Sequence, residues 1–168
     1  RLYFNDAKVA TIALPNSFPK ENRLICCATD ITTASSLRQD KANTERIVDY
    51  IRTFSLMKKN RAIYFPSYQI LESYAALAAP HLSRRQVFIE PRDAAGAGAM
   101  LNEFLTLPSR GESGIMFAVC GGKWSEGLDY RGEMLSGAMV VGLPLAPFTR
   151  VRKMIIEYFR HKYGSEGE

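Results

Sequence analysis

The sequence predicts an α/β fold: a mainly parallel sheet covered by helices on both faces. Three observations carry that expectation. From residue 61 onward, short β-type runs alternate with segments of helical period, the signature of βαβ units. The chain of 168 residues, 46% hydrophobic and 23% charged, has the makeup of one globular domain with room for a core. A glycine pair, Gly121-Gly122, stands straight after the apolar run 115–120, and open α/β sheets bind ligands at such strand ends. There is no internal repeat or low-complexity tract to compete with this organisation.

The elements follow in order. The first twenty residues are irregular, broken by Pro15 and Pro19, and a strand is expected over 24–28. Residues 29–38 form a hydroxyl-rich loop ending in Arg38, suited either to holding a phosphodiester or to serving as a solvated connector. A helix is predicted over 43–58, capped near Asn43 or Thr44, with Ile47, Val48, Ile51 and Phe54 on one face. The run 61–65 is a strand that Pro66 ends, and Ser67 stands where a helix over 68–79 needs its N-cap. Leu71, Tyr74, Ala75 and Ala78 supply that helix with its buried stripe. A strand over 86–90 and a helix over 93–105 come next, the helix weakened by Gly96 and Gly98. Strands over 114–120 and 138–143 flank the glycine-containing loop. A last helix, near 149–162, sets Val151, Met154, Ile155, Tyr158 and Phe159 at helical spacing for core packing. Its other face is basic.

The candidate site is the loop 121–130. Its glycines allow a sharp turn and let backbone amides approach a ligand, and Ser125, Glu126 and Asp129 follow within eight residues. Other chemistries find no support. Gly122-Lys123 is not a P-loop, since Phe117 fills the first glycine position and Trp124 the hydroxyl position. No GxGxxG opens a helix, and His81 and His161 show no ligand spacing. The three cysteines, Cys26, Cys27 and Cys120, include no CxxC pair; Cys27 and Cys120 read as small core residues of a reducing compartment. The net charge of +5 suits a polyanion partner without requiring one. No apolar run approaches the ~20 residues of a membrane span.

The run 122–130, GKWSEGLDY, resembles motif V of the XPD/DinG group of superfamily 2 DNA helicases, written GKxSEGxDF. Upstream, Phe65-Pro66-Ser67-Tyr68 resembles motif IV of the same group, and 138–144 and 157–164 resemble the strand and helix after motif V. The likeness covers nearly the whole chain and leans toward archaeal XPD. It implies a RecA-like three-layer αβα fold. The whole of 1–168 would be one second (C-terminal) motor domain, a piece of a larger protein ending before motif VI.

The same resemblance implies an ATP-dependent helicase that unwinds DNA 5′→3′, with a role in DNA repair. Glu126, Gly127 and Asp129 would face the nucleotide cleft, Asp129 accepting from a ribose hydroxyl. Lys123 and Ser125 would lie nearer the DNA, Ser67 would meet a phosphate, and Tyr68 would stack on a base. Arg38 is a further candidate DNA contact from its own loop. ATP and Mg²⁺ would serve the full-length enzyme, and a [4Fe–4S] cluster would belong to another domain, leaving no cofactor to this chain alone. The implied partners are single-stranded DNA and the first RecA-like motor domain of the same protein, in a monomer of the prokaryotic or archaeal cytoplasm, at the nucleoid. The residues by themselves leave two other classes open: a non-enzymatic module binding single strands or a partner protein, and an unrelated doubly wound transferase using loop 121–129 as a donor site.

Overall fold

The computed structural model describes residues 12–15, 17–34, 37, 40–82, 85–93, 95–145 and 149–164. The chain divides into two compact units, Ala28–Leu145 and a second made of Arg1–Cys27 with Ala146–Glu168.

The larger unit holds the sheet. Its strands are β1 (Arg61–Phe65), β2 (Gln86–Ile89), β3 (Gly114–Val119) and β4 (Gly137–Val140). They lie in the order β2-β3-β1-β4, and every pairing is parallel. The expected mainly parallel sheet therefore forms, with all four described strands pointing their carboxyl ends the same way. Parallel neighbours need crossovers, which explains why helices separate β1 from β2 and β2 from β3. These are α2 (Tyr68–Ala78) and α3 (Ala97–Thr106), while α1 (Lys41–Ser55) precedes β1.

Two cores follow from the period of two along the strands. Ile63, Phe65, Ile115, Phe117 and Val119 face Ile47 and Ile51 of α1 and Leu71, Ala75 and Ala78 of α2. Ala62, Met116 and Ala118 face the opposite way, onto Leu101 and Phe104 of α3, with Phe88 and Trp124. β3 is buried along its whole length, as a central parallel strand must be.

Several boundaries differ from the sequence expectation for identifiable reasons. α1 starts at Lys41, because Asp40 rather than Asn43 or Thr44 is its cap, its Oδ1 accepting from the Asn43 amide at 2.6 Å. Asn43 instead clamps the hydroxyl-rich loop: its side chain accepts from Thr32 N and donates to Thr32 O, both at 2.8 Å. α3 starts at Ala97 behind Gly96, whose φ of 73° lies in the left-handed region that stops helix growth toward the N-terminus. Ser67 caps α2 as anticipated, accepting from Ile70 N at 3.4 Å.

In the smaller unit two expectations fail. The strand expected over 24–28 does not form; Leu24 is 88% exposed, and Cys27 lies exposed rather than in a core. A β-type run becomes a strand only with a partner to bond, and none pairs with it among the described residues. The final helix forms as α4 (Arg150–Tyr163), capped by Thr149, with Arg160, His161 and Lys162 matching the negative end of its dipole. Yet none of its residues is buried, and Val151, Met154 and Ile155 are exposed. Amphipathic spacing marks a face that needs cover but does not specify the surface that provides it. No described helix is long and apolar enough to cross a membrane.

One feature of the sheet's amino edge costs stability. Arg61 is fully buried; its Nη1 donates to Phe54 O at 3.3 Å, while Nε and Nη2 have no partner among the described residues. Burial, then the nearby Arg85 charge, lowers its pKa to about 10. A buried charge without a counter-ion is a cost that an apolar side chain of similar size removes. Arg61→Met is therefore expected to raise unfolding stability by about 1–4 kcal/mol at neutral pH. The folded state holds the proton less tightly than the unfolded chain, so wild-type stability recovers as pH rises through the folded value of about 10. The gap between the two proteins should start to narrow there in paired denaturant titrations, and narrow further as pH rises toward the ordinary guanidinium range. A variant less stable than wild type at pH 7 would contradict this account.

Candidate functional site

Adjacent strands β1 and β3 run in register, Phe65 opposite Val119, and Cys120 N donates to Phe65 O at 2.8 Å. The segments leaving them, Pro66-Ser67-Tyr68 and the loop 120–130, therefore emerge side by side at the sheet's carboxyl edge. The candidate residues expected at the two motifs are thus brought to one edge, while Arg38 lies outside the described residues.

The loop is built inward from Trp124. Its indole is buried, and Nε1 donates to Ala97 O at 3.1 Å, fixing the loop to the start of α3. Tyr130 closes the loop, its hydroxyl donating to Trp124 O at 2.6 Å. Burial, and next the Tyr64 hydroxyl, push the Tyr130 phenol above its ordinary value, so it stays a donor. Ser125 Oγ donates back to Gly122 O at 3.1 Å. With these groups turned inward, Lys123, Glu126, Gly127 and Asp129 are left exposed. Asp129 pairs with Arg131 at 2.7 Å, both side chains largely in solvent. Gly127, at φ 71°, makes the left-handed step between the two carboxylates.

The glycine pair has a different use from the one the sequence suggested. Glu90, just after β2, is buried, and its carboxylate accepts from Val119 N and Lys123 N, both at 2.8 Å. A Cβ on Gly122 would stand 2.5 Å from Glu90 Oε1. The Lys123 amide in the turn and the Val119 amide at the end of β3 are thus taken by the chain's own carboxylate. Sequence reading missed Glu90, taking it as the end of a strand. The available signal was an acidic residue directly after the apolar run Val87-Phe88-Ile89, where burial demands a partner.

Tyr68 belongs to the same network. Its hydroxyl donates to Glu90 Oε1 at 3.0 Å, and Arg92 lies over its ring, 5.6 Å from the centroid. Arg92 is held in turn by two bonds to Glu72, at 2.7 and 2.8 Å. Burial first, then the bond to Glu90, raises the Tyr68 pKa. One ring face is therefore covered by a cation, and the half-buried ring also packs against the core of β1, β3, α1 and α2.

A groove of about 400 Å³ opens beside these segments, lined by Thr32, Thr33, Thr44, Gln69, Gly142 and neighbours. None of the candidate residues lines it. Among the described residues, no three His, Cys, Asp or Glu side chains stand together to hold a metal ion.

Comparison with known proteins gives this edge its context. Residues 50–168 match the family of the helicase C-terminal domain. The chain is 26% identical over 150 residues to the ATP-dependent DNA helicase CHL1 of Candida albicans, covering 82% of this chain and 18% of that protein. It is 30% identical over 141 residues to the human regulator of telomere elongation helicase 1, covering 79% and 11%. The Bos taurus regulator of telomere elongation helicase 1 is 32% identical over 121 residues, covering 67% and 9%. The chain thus spans less than a fifth of the length of these relatives. A solved XPD helicase superposes with a TM-score of 0.58 at 21% identity, over 77% of this chain and 22% of that one, a likeness of RecA-like fold. With the family model matched from residue 50 to the end of the chain, and a parallel sheet of the expected kind, the chain belongs to the helicase C-terminal domain family of XPD/DinG-type superfamily 2 helicases.

Proposed function

We propose that the chain, residues 1–168, is the second motor lobe of an ATP-dependent, 5′→3′ DNA helicase of XPD type, with a role in DNA repair. The observation that carries this is the convergence of Ser67-Tyr68 and the loop 121–130 at the carboxyl edge of one parallel sheet. In the proposed arrangement Ser67, Tyr68, Lys123 and Ser125 meet single-stranded DNA, with Arg38 a further contact. Glu126, Gly127 and Asp129 face ATP held against the first motor lobe. The local chemistry fits part of that role. Exposed carboxylates can accept from sugar hydroxyls or from Mg²⁺-bound water, whereas the Val119 and Lys123 amides are taken by Glu90. Phosphoryl transfer requires a phosphate cradle, metal ligands and charge-stabilising cations together. The chain alone therefore turns over no ATP, and its share of the work is to bind DNA and complete a cleft.

A labelled single-stranded oligonucleotide titrated with the 168-residue chain, followed by anisotropy, tests this. Affinity should fall with salt at a log–log slope near −0.7 per phosphate neutralised, and Lys123→Ala should flatten the slope by about 0.7. Single strands should outcompete duplex. A salt-independent signal, or an unchanged slope in Lys123→Ala, would remove the DNA role from this edge.

A further inference from the structure

We propose that Glu90 is a positioning residue that ties the motif IV turn to the motif V loop, so that a ligand engaging Tyr68 is felt at the Lys123 backbone. Three donors from three segments meet on this one buried carboxylate. Val119 N, at the end of β3, bonds Oε2 at 2.8 Å. Lys123 N, inside the loop, bonds Oε1 at 2.8 Å, and the Tyr68 hydroxyl, at the start of α2, bonds the same Oε1 at 3.0 Å. Gly122 is required because any side chain there would displace the carboxylate.

The sharing of Oε1 makes this a coupling rather than a scaffold. If Tyr68 shifts to stack on a base, its hydroxyl leaves or turns on Oε1, and the carboxylate re-centres on its remaining donors. Hydrogen bonds to a charged acceptor are strong enough for that competition to move a loop. Lys123 and Ser125 then change their presentation, and Glu126 and Asp129 follow within six residues of the same amide. Glu90 touches neither DNA nor nucleotide. It acts only through the groups it holds.

What Tyr68 contacts rests on the motor-lobe reading; the coupling itself does not. The experiment keeps the two apart by following the backbone amides of the 168-residue chain by NMR, with and without a single-stranded oligonucleotide. Without DNA, Tyr68→Phe removes only the phenol donor. It should change exchange of the Lys123 amide by about threefold or more, with a smaller change at Val119, which bonds the other oxygen. Glu90→Gln should accelerate at least one of the two amides by about tenfold or more, since the amide that faces the new NH2 group loses its acceptor. Should Glu90→Gln fail to fold, Tyr68→Phe still decides the matter. With DNA, the wild-type Val119 amide, which bonds Glu90 and is not among the proposed DNA contacts, should shift, and Tyr68→Phe should abolish that shift while leaving affinity largely unchanged, since the ring that stacks is kept. An unchanged Lys123 exchange rate in Tyr68→Phe overturns the coupling, as does an undiminished DNA-induced shift in that variant. A wild-type chain that binds no oligonucleotide, while Tyr68→Phe still changes Lys123 exchange, overturns the motor-lobe reading and leaves Glu90 in place.

Discussion

Replacing Gly122 by alanine is expected to destabilise the chain by on the order of 3–5 kcal/mol and to dismantle the loop after β3. The cause is contact, not backbone conformation. The added Cβ would lie 2.5 and 2.8 Å from the two Glu90 oxygens and 2.9 Å from Val119 O. Glu90 cannot swing aside, because it is buried and holds the amides of Val119 and Lys123. Evicting it leaves donors and a carboxylate in the interior without partners, each costing about 1–3 kcal/mol. That is a large share of the ~5–15 kcal/mol that holds a domain together. Gly127→Ala is the control in the same loop. Nothing lies within 4 Å of its would-be Cβ, so only the left-handed φ of 71° is strained, at about 1–2 kcal/mol. Denaturant unfolding of the two variants should rank them in that order, with Gly122→Ala also losing DNA affinity. Equal costs, or a Gly122→Ala within about 1 kcal/mol of wild type, would show that Glu90 does not fill the turn.

The contrast between these glycines shows where sequence reading reached and where it stopped. Periodicity located the sheet and its helices because burial acts locally: Ile115, Phe117 and Val119 alternate with Met116 and Ala118 onto two cores, as a period of two demands. The segments 65–68 and 122–130 stand out in the sequence because each is contiguous, and both leave paired strands. Glu90 does not, since its partners Val119, Lys123 and Tyr68 lie 22 to 33 residues away and only the sheet order brings them together. Trp124 was read as part of a polar site for the same reason; it is buried with Phe88 and Phe104, and its indole bonds Ala97, 27 residues away. Residues 24–28 and the apolar stripe of α4 misled in the opposite sense. Both have the local pattern of buried elements, but pattern states a preference, and the described structure provides neither a strand partner nor a covering surface for them.

In a protein carrying both motor lobes, Asp129→Ala should lower kcat/KM for ATP by about ten- to a hundredfold, the value of a hydrogen bond to a charged group. The loss should fall mainly on KM, because a sugar contact is remote from the transferred phosphoryl group and is made in ground state and transition state alike. Stability should barely change. Asp129 stands on the loop with its side chain 72% exposed, and its bond to Arg131 at 2.7 Å is a surface ion pair worth about 0–1 kcal/mol. That pair provides the decisive comparison. Arg131→Ala removes the same ion pair but keeps the carboxylate, so it should match Asp129→Ala in melting temperature while retaining ATP turnover. It should even improve nucleotide binding slightly, since the carboxylate no longer has to leave a cation to meet its ligand. Glu126→Ala should resemble Asp129→Ala, as its side chain is likewise exposed on the loop that follows β3. Equal kinetic losses in Asp129→Ala and Arg131→Ala would mean that the ion pair shapes the loop and the carboxylate meets no nucleotide. An Asp129→Ala enzyme with unaltered KM would place the ATP cleft on another part of the sheet edge.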